Sequence, residues 1–128
     1  MNLLLDTHAL IWAVDNPTNL GSVARPQIED LNNTLLLSSA TIWELAIKVS
    51  LGKLTLTLPY EQWITAAMHD LDVVLLPITV EHTVMLASLP WHHRDPFDRI
   101  LAAQAQVESI PIISNDRDLE AYGISILW

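Results

Sequence analysis

Five short apolar runs, separated by stretches with helical spacing, constrain this chain more than any other feature. They are Asn2 to Leu5, Thr34 to Leu37, Val73 to Ile78, Pro111 to Ser114 and Ile124 to Leu127. Runs this short and this uniformly apolar read as strands buried on both faces, as in a parallel sheet. The stretches between them carry apolar residues at helical spacing. Thr7 to Val14 reads as a helix ended near Asn16-Pro17, and Gly21 to Leu31 as a second that Pro26 kinks or shortens. Ser39 to Leu51 is a third, with Ile42, Leu45, Ala46 and Val49 on one face and Gly52 as its stop. Pro59 to Leu71, Val80 to Leu89, Pro96 to Glu108 and a short Asp116 to Ala121 complete the set. Thr55 to Leu58 is extended or loop, and Pro90 to Arg94 is loop. The expected fold is a three-layer α/β domain, with a mostly parallel sheet of about four to five strands flanked by helices. There is no internal repeat or linker, so residues 1–128 are expected to form one domain.

Four acids fall at the junctions of this pattern. Asp6 ends the first run, Glu44 lies early in the third helix, Asp98 follows Asp95-Pro96-Phe97, and Asp116 follows Ser114-Asn115. Ligands of open parallel sheets bind outside the carboxyl ends of the strands, where Asp6 and Asp116 belong. If the helices bearing Glu44 and Asp98 begin at that edge, all four carboxylates converge. Gathered carboxylates repel unless a cation lies among them, and a hard divalent ion with oxygen ligands is the simplest one.

Each acid also has a plain structural reading. Asp6 and Asp116 suit helix N-caps. Thr41-Ile42-Trp43-Glu44 matches a capping box. Asp95 before Pro96 is the clearest cap, which leaves Asp98 without a capping role. Asp98 then either joins the acid cluster or pairs with a basic neighbour on the solvent side.

Other chemistries fit less well. Three Gly and no Gly-rich loop exclude a phosphate-cradling turn. His8, His69, His82, His92 and His93 have no zinc spacing, and Trp91-His92-His93-Arg94 reads as a loop at an opening. Cysteine is absent, so there is no disulfide framework or thiolate nucleophile. A formal net charge of -9 argues against a broad basic nucleic-acid surface and favours a basic partner. The chain is 51% hydrophobic with five Trp, so part of its apolar surface is expected to face another chain. Trp12 and Trp43 are expected in the core or at such an interface. No run reaches transmembrane length, and a cytoplasmic protein with no membrane contact is expected.

Leu4-Leu5-Asp6-Thr7-His8, Ser39-Ala40-Thr41-Ile42-Trp43-Glu44-Leu45-Ala46, Asp95-Pro96-Phe97-Asp98-Arg99-Ile100-Leu101-Ala102-Ala103-Gln104-Ala105 and Ser114-Asn115-Asp116-Arg117-Asp118-Leu119 together resemble a PIN domain. More narrowly they resemble the VapC-type toxins of bacterial type II toxin–antitoxin pairs. The resemblance covers nearly the whole chain, and its third block is the most specific. It implies a Mg²⁺- or Mn²⁺-dependent endoribonuclease in which Asp6, Glu44, Asp98 and Asp116 are the catalytic, metal-holding acids. On that pattern an activated water attacks an RNA phosphodiester in line and leaves a 5′-phosphate. Thr7 and Asn115 match small polar positions that orient ligands, and Asp118 is an additional contact. Arg94 and Arg99 lie near Asp98 as contacts for substrate phosphate, with a surface salt bridge as the other reading of Arg99. Pro26 and the His92-His93 pair depart from the pattern, and neither is expected to touch the four acids. The resemblance further implies a homodimer and a cognate antitoxin protein with a basic tail. The alternatives are a PIN-like DNA nuclease, another phosphohydrolase, or a non-catalytic module that binds RNA or a partner.

Overall fold

The computed structural model describes residues 1–128. The chain runs β1 (Asn2–Leu5), α1 (Thr7–Asp15), a 3₁₀ turn (Pro17–Asn19), α2 (Ala24–Glu29), β2 (Thr34–Ser38), α3 (Ser39–Ser50) and α4 (Tyr60–Asp70). It continues β3 (Val74–Leu76), α5 (Val80–Ser88), α6 (Pro96–Glu108), β4 (Ile112–Ile113), a second 3₁₀ turn (Arg117–Tyr122) and β5 (Ile126–Leu127). The five strands form one sheet in the order β3-β2-β1-β4-β5, and every pairing is parallel.

Alternation along β1 divides the core. Leu3 and Leu5 point to one face, with Leu35, Leu37, Leu45, Trp63 and Ala67. Leu4 points to the other, with Leu101, Ala102, Ile112, Leu119 and Tyr122. All three leucines are fully buried, and burying a side chain of this size contributes roughly 1.5–3 kcal/mol. The α/β fold with a parallel sheet and flanking helices is therefore as the apolar runs require.

Local differences from the expected boundaries have local causes. The second helix spans only Ala24–Glu29. Pro26 sits in its first turn, where backbone N–H groups have no helical partner and the missing donor costs nothing. Pro77 likewise stops β3 before Ile78, because it has no N–H for the ladder. Thr41 does not cap α3. The cap is Ser38, whose Oγ accepts from Ala40 N at 3.0 Å, and Glu44 is freed for other partners. Gly52, at φ +68°, follows α3 in the left-handed conformation that favours Gly after a helix.

Trp63 is the buried tryptophan of the set, its indole N–H donating to Asp15 at 2.9 Å. Trp43 instead lies exposed on α3, edge-on to Phe97. The edge strand β3, α5 and the link between them present Val74, Leu75, Ile78, Val80 and Val84 to solvent. No helix is long and apolar enough to cross a membrane.

Candidate metal centre

β1 is the strand where the sheet order reverses, with β2 on one side and β4 on the other. Chain segments leaving β1 and β4 therefore diverge and open a crevice at their carboxyl ends. That crevice is a cleft of about 340 Å³ lined by Asp6, Thr7, His8, Glu44, Lys48, Asp95, Asp98, Asn115 and Asp116, with no hydrophobic residue among them. The structure thus brings Asp6, Glu44, Asp98 and Asp116 together from four separate segments.

Each acid is held by its own local geometry. Asp6 caps α1, its Oδ1 accepting from Ala9 N at 2.7 Å. Capping and cleft-lining are thus compatible in one carboxylate. Glu44, 5% exposed, is gripped from two sides. Thr7 Oγ1 donates to its Oε1 at 2.5 Å, and Lys48 Nζ meets its Oε2 at 2.6 Å. Asp116 caps the second 3₁₀ turn through Oδ1, which accepts from Asp118 N at 3.0 Å. Its own N–H donates to Ser114 Oγ at 3.0 Å. Asp95 caps α6 through Phe97 N at 2.8 Å and also lines the cleft. Asp98, in the first turn of α6, is left to face the cleft.

The electrostatics record the crowding. Burial, then the charge of Asp95, pushes the Asp98 carboxyl up to about 7 from its ordinary 3.8, with Asp116 and Glu44 adding to the rise and His93 opposing it. Asp6 is also raised. Burial outweighs the hydrogen bonds from Ser114 and Ala9 that favour its charged form. Four carboxylates crowded into one cleft, where their like charges disfavour the ionised form, are a carboxylate-rich donor set that fits a hard divalent cation.

The structure departs from the sequence expectations at four residues. One member of the His92-His93 pair touches the acids: His93 Nε2 lies 2.7 Å from Asp116 Oδ2 and 3.4 Å from Asp98 Oδ2, while His92 packs on Tyr122. Ligand atoms of His93, Asp98 and Asp116 lie within 4.8 Å of one another. Burial lowers the His93 pKa, but the Asp116 hydrogen bond and the charges of Asp98, Asp116 and Asp95 together raise it. When protonated, His93 places a positive charge beside both acids; when neutral, its ring nitrogen can join them as a metal ligand. Arg99 neither reaches the cleft nor forms a surface salt bridge. It is 4% exposed, donates to Pro90 O at 2.8 Å and Tyr122 Oη at 3.2 Å, and stacks 3.7 Å from the Trp91 ring centroid. Arg94 lines a separate hollow with Leu86, Trp91 and Pro96. Asp118 contributes its backbone N–H to Asp116, and its side chain does not line the cleft.

Sequence reasoning also passed over Lys48 and Ser114. Lys48 was legible, being one turn beyond Glu44 on the same helix. His93 was not, because its approach depends on how the loop folds back. Tyr122 Oη accepts from the His93 backbone N–H at 2.9 Å and from Arg99, so a single hydroxyl pins that loop.

A family model described as PIN domain matches residues 3–124. No curated protein matches the chain. Among solved structures, VapBC2 from Rickettsia felis bound to a DNA fragment from their promoter is similar at 18% identity and a TM-score of 0.74, covering 98% of this chain and 97% of that one. FitAcB from Neisseria gonorrhoeae is similar at 17% identity and a TM-score of 0.69, covering 97% and 95%. VapBC-1 from nontypeable Haemophilus influenzae is similar at 22% identity and a TM-score of 0.66, covering 98% and 96%.

Proposed function

The chain belongs to the PIN domain family, and on that premise we propose that it is a metal-dependent endoribonuclease, the toxin of a toxin–antitoxin pair, acting as one catalytic domain. The observation that carries this reading is the meeting of Asp6, Glu44, Asp98 and Asp116 in one cleft without apolar lining. Those four would hold Mg²⁺ or Mn²⁺. When bound, the cation supplies charge neutralisation at the phosphodiester and acidifies water for hydrolysis.

The chain's own residues do the positioning. The Thr7 hydroxyl and the Lys48 ammonium fix both oxygens of Glu44. The N–H groups of Ala9 and Asp118 each engage one oxygen of Asp6 and Asp116 and so orient the other. Asn115, at the rim, offers an amide to the substrate. Prearranged carboxylates of this kind need little reorganisation when a phosphate enters.

A negative cleft on a chain of net charge -9 suits an antitoxin with a basic tail, whose Arg would pair with the same acids. The similarity to VapBC2 and FitAcB supports such a partner. The exposed apolar face of β3 and α5 supports a homodimer, and a monomer by light scattering at high concentration removes that part. A cytoplasmic setting suits both RNA and antitoxin.

The central test is incubation with RNA, DNA and nucleotide monophosphates in Mg²⁺, in Mn²⁺ and in EDTA, with sequencing of RNA 5′ ends. Cleavage of RNA with either metal, abolished by EDTA, is expected. Cleavage confined to DNA or monophosphates, or RNA cleavage that survives EDTA, defeats the proposal.

A further inference from the structure

The chain has six Lys and Arg residues. Arg25, Lys48 and Arg117 are paired with Glu29, Glu44 and Glu120, and Arg99 is enclosed by carbonyls. Lys53 and Arg94 alone stand outside such pairings. Phosphate attraction therefore gives this surface little hold on a polynucleotide away from the metal.

A different source of affinity runs along the rim. His8 is an exposed residue of the acid cleft, and its ring packs on Trp12 with centroids 5.5 Å apart. Trp12 packs in turn on Trp128, again at 5.5 Å. Trp128 lines a second groove of about 310 Å³ with Val23, Asn115, Arg117 and Leu127. Asn115 belongs to both hollows, so the groove opens directly beside the acids. Cleft and groove are thus joined twice, by Asn115 and by the ring ladder.

The ladder is also braced. Val23 N–H donates to the Trp128 carbonyl at 2.9 Å. A Cβ added at Gly21 would lie 2.4 Å from the Trp128 carbonyl carbon and 2.6 Å from its indole, so only Gly permits that approach. Aromatic faces held rigidly along a path are what unstacked bases bind, without regard to sequence. The partly exposed indole lines the groove beside the Arg117–Glu120 ion pair, so the platform offers an aromatic face rather than a free cation.

Resting on the ribonuclease reading above, we propose that the His8–Trp12–Trp128 ladder and its adjoining groove form a stacking subsite for unpaired bases flanking the scissile phosphate. Bases in a duplex present no free face to such a platform.

The test is fluorescence anisotropy with a labelled single-stranded RNA decamer, an abasic decamer of the same charge, and a duplex, in Ca²⁺. His8→Ala and Trp128→Leu are each compared with the native chain, and circular dichroism checks that they fold. Exposed His8 provides the variant that leaves the core intact. Each substitution is expected to weaken binding of the base-bearing single strand about tenfold and to leave the abasic strand unaffected. In Mg²⁺ the same variants should raise KM far more than they lower kcat. Unchanged affinity for the decamer overturns the subsite, as does an equal loss for the abasic strand, or tighter native binding to duplex. A loss confined to a co-purified protein partner overturns it as well. Base-dependent binding without cleavage sinks the nuclease reading and keeps the subsite, while cleavage with indifferent variants does the reverse.

Discussion

His93 reaches Asp116 at 2.7 Å and Asp98 at 3.4 Å, from a loop that the two acids' own elements do not contain. An imidazolium in that position neutralises part of the charge that a divalent ion would otherwise balance. Cation and imidazolium are then rivals for the same two carboxylates.

Asp98 and His93 set the pH dependence expected of the metal-free protein. The Asp98 carboxyl has a folded value of about 7 against an ordinary 3.8, so between those limits the folded state binds more protons than the unfolded. The contribution of Asp98 to stability therefore falls as pH rises through that window. His93 acts in the same direction. Its raised pKa means a stabilisation fully present below its ordinary 6.5 and lost as pH climbs through the raised value. Thermal melts in EDTA are expected to show Tm falling from pH 5 to pH 8, with Mg²⁺ or Mn²⁺ flattening the slope. A Tm that rises across the range contradicts the assignment.

Asp98→Asn removes one carboxylate without changing shape. It is expected to cut RNA turnover by about two orders of magnitude or more. In EDTA at pH 8 it should raise Tm, because the like charges of Asp95, Asp116 and Glu44 no longer oppose it. Paired activity and melting measurements decide this, and native turnover in the variant would count decisively against the site.

Thr7→Val deletes the hydroxyl that donates to Glu44 while preserving volume. Lys48 still holds the other oxygen. Turnover is expected to drop about tenfold, with stability lowered by only about 1 kcal/mol. Denaturant melts and initial rates separate the two effects.

Arg99→Ala strips the carbonyls of Pro90 and Leu89 and the Tyr122 hydroxyl of a shared donor. A loss of about 2–4 kcal/mol is expected from groups left unpaired. Urea unfolding measures it. Because the same hydroxyl pins His93, the variant should also weaken the pH dependence described above.

The sheet was legible because Leu3-Leu4-Leu5 and Leu35-Leu36-Leu37 admit no exposed face. Strand ends were less so. Pro111 and Ser114 lie outside β4, yet Leu4 N donates to Pro111 O and Ser114 N to Leu127 O, so the ladder extends beyond the formal boundary. The four acids could be grouped because each sits at a strand end or in an early helical turn, where topology alone fixes position. The loop residues could not. Arg99 is one residue from Asp98, but helical geometry turns adjacent side chains about 100° apart. His93 arrives through Tyr122, a partner remote in sequence. The Thr41–Glu44 capping pattern misled because Ser38 stands closer to the true start of α3.

The sheet order has one more outcome. β1 and β4 are far apart along the chain, yet they are neighbours in the sheet, and Asp6 and Asp116 meet across that seam. A nascent chain still lacking β4 has one wall of its cleft missing. The acid cleft therefore has no existence in either half of the sheet alone, and loosening one half dismantles it.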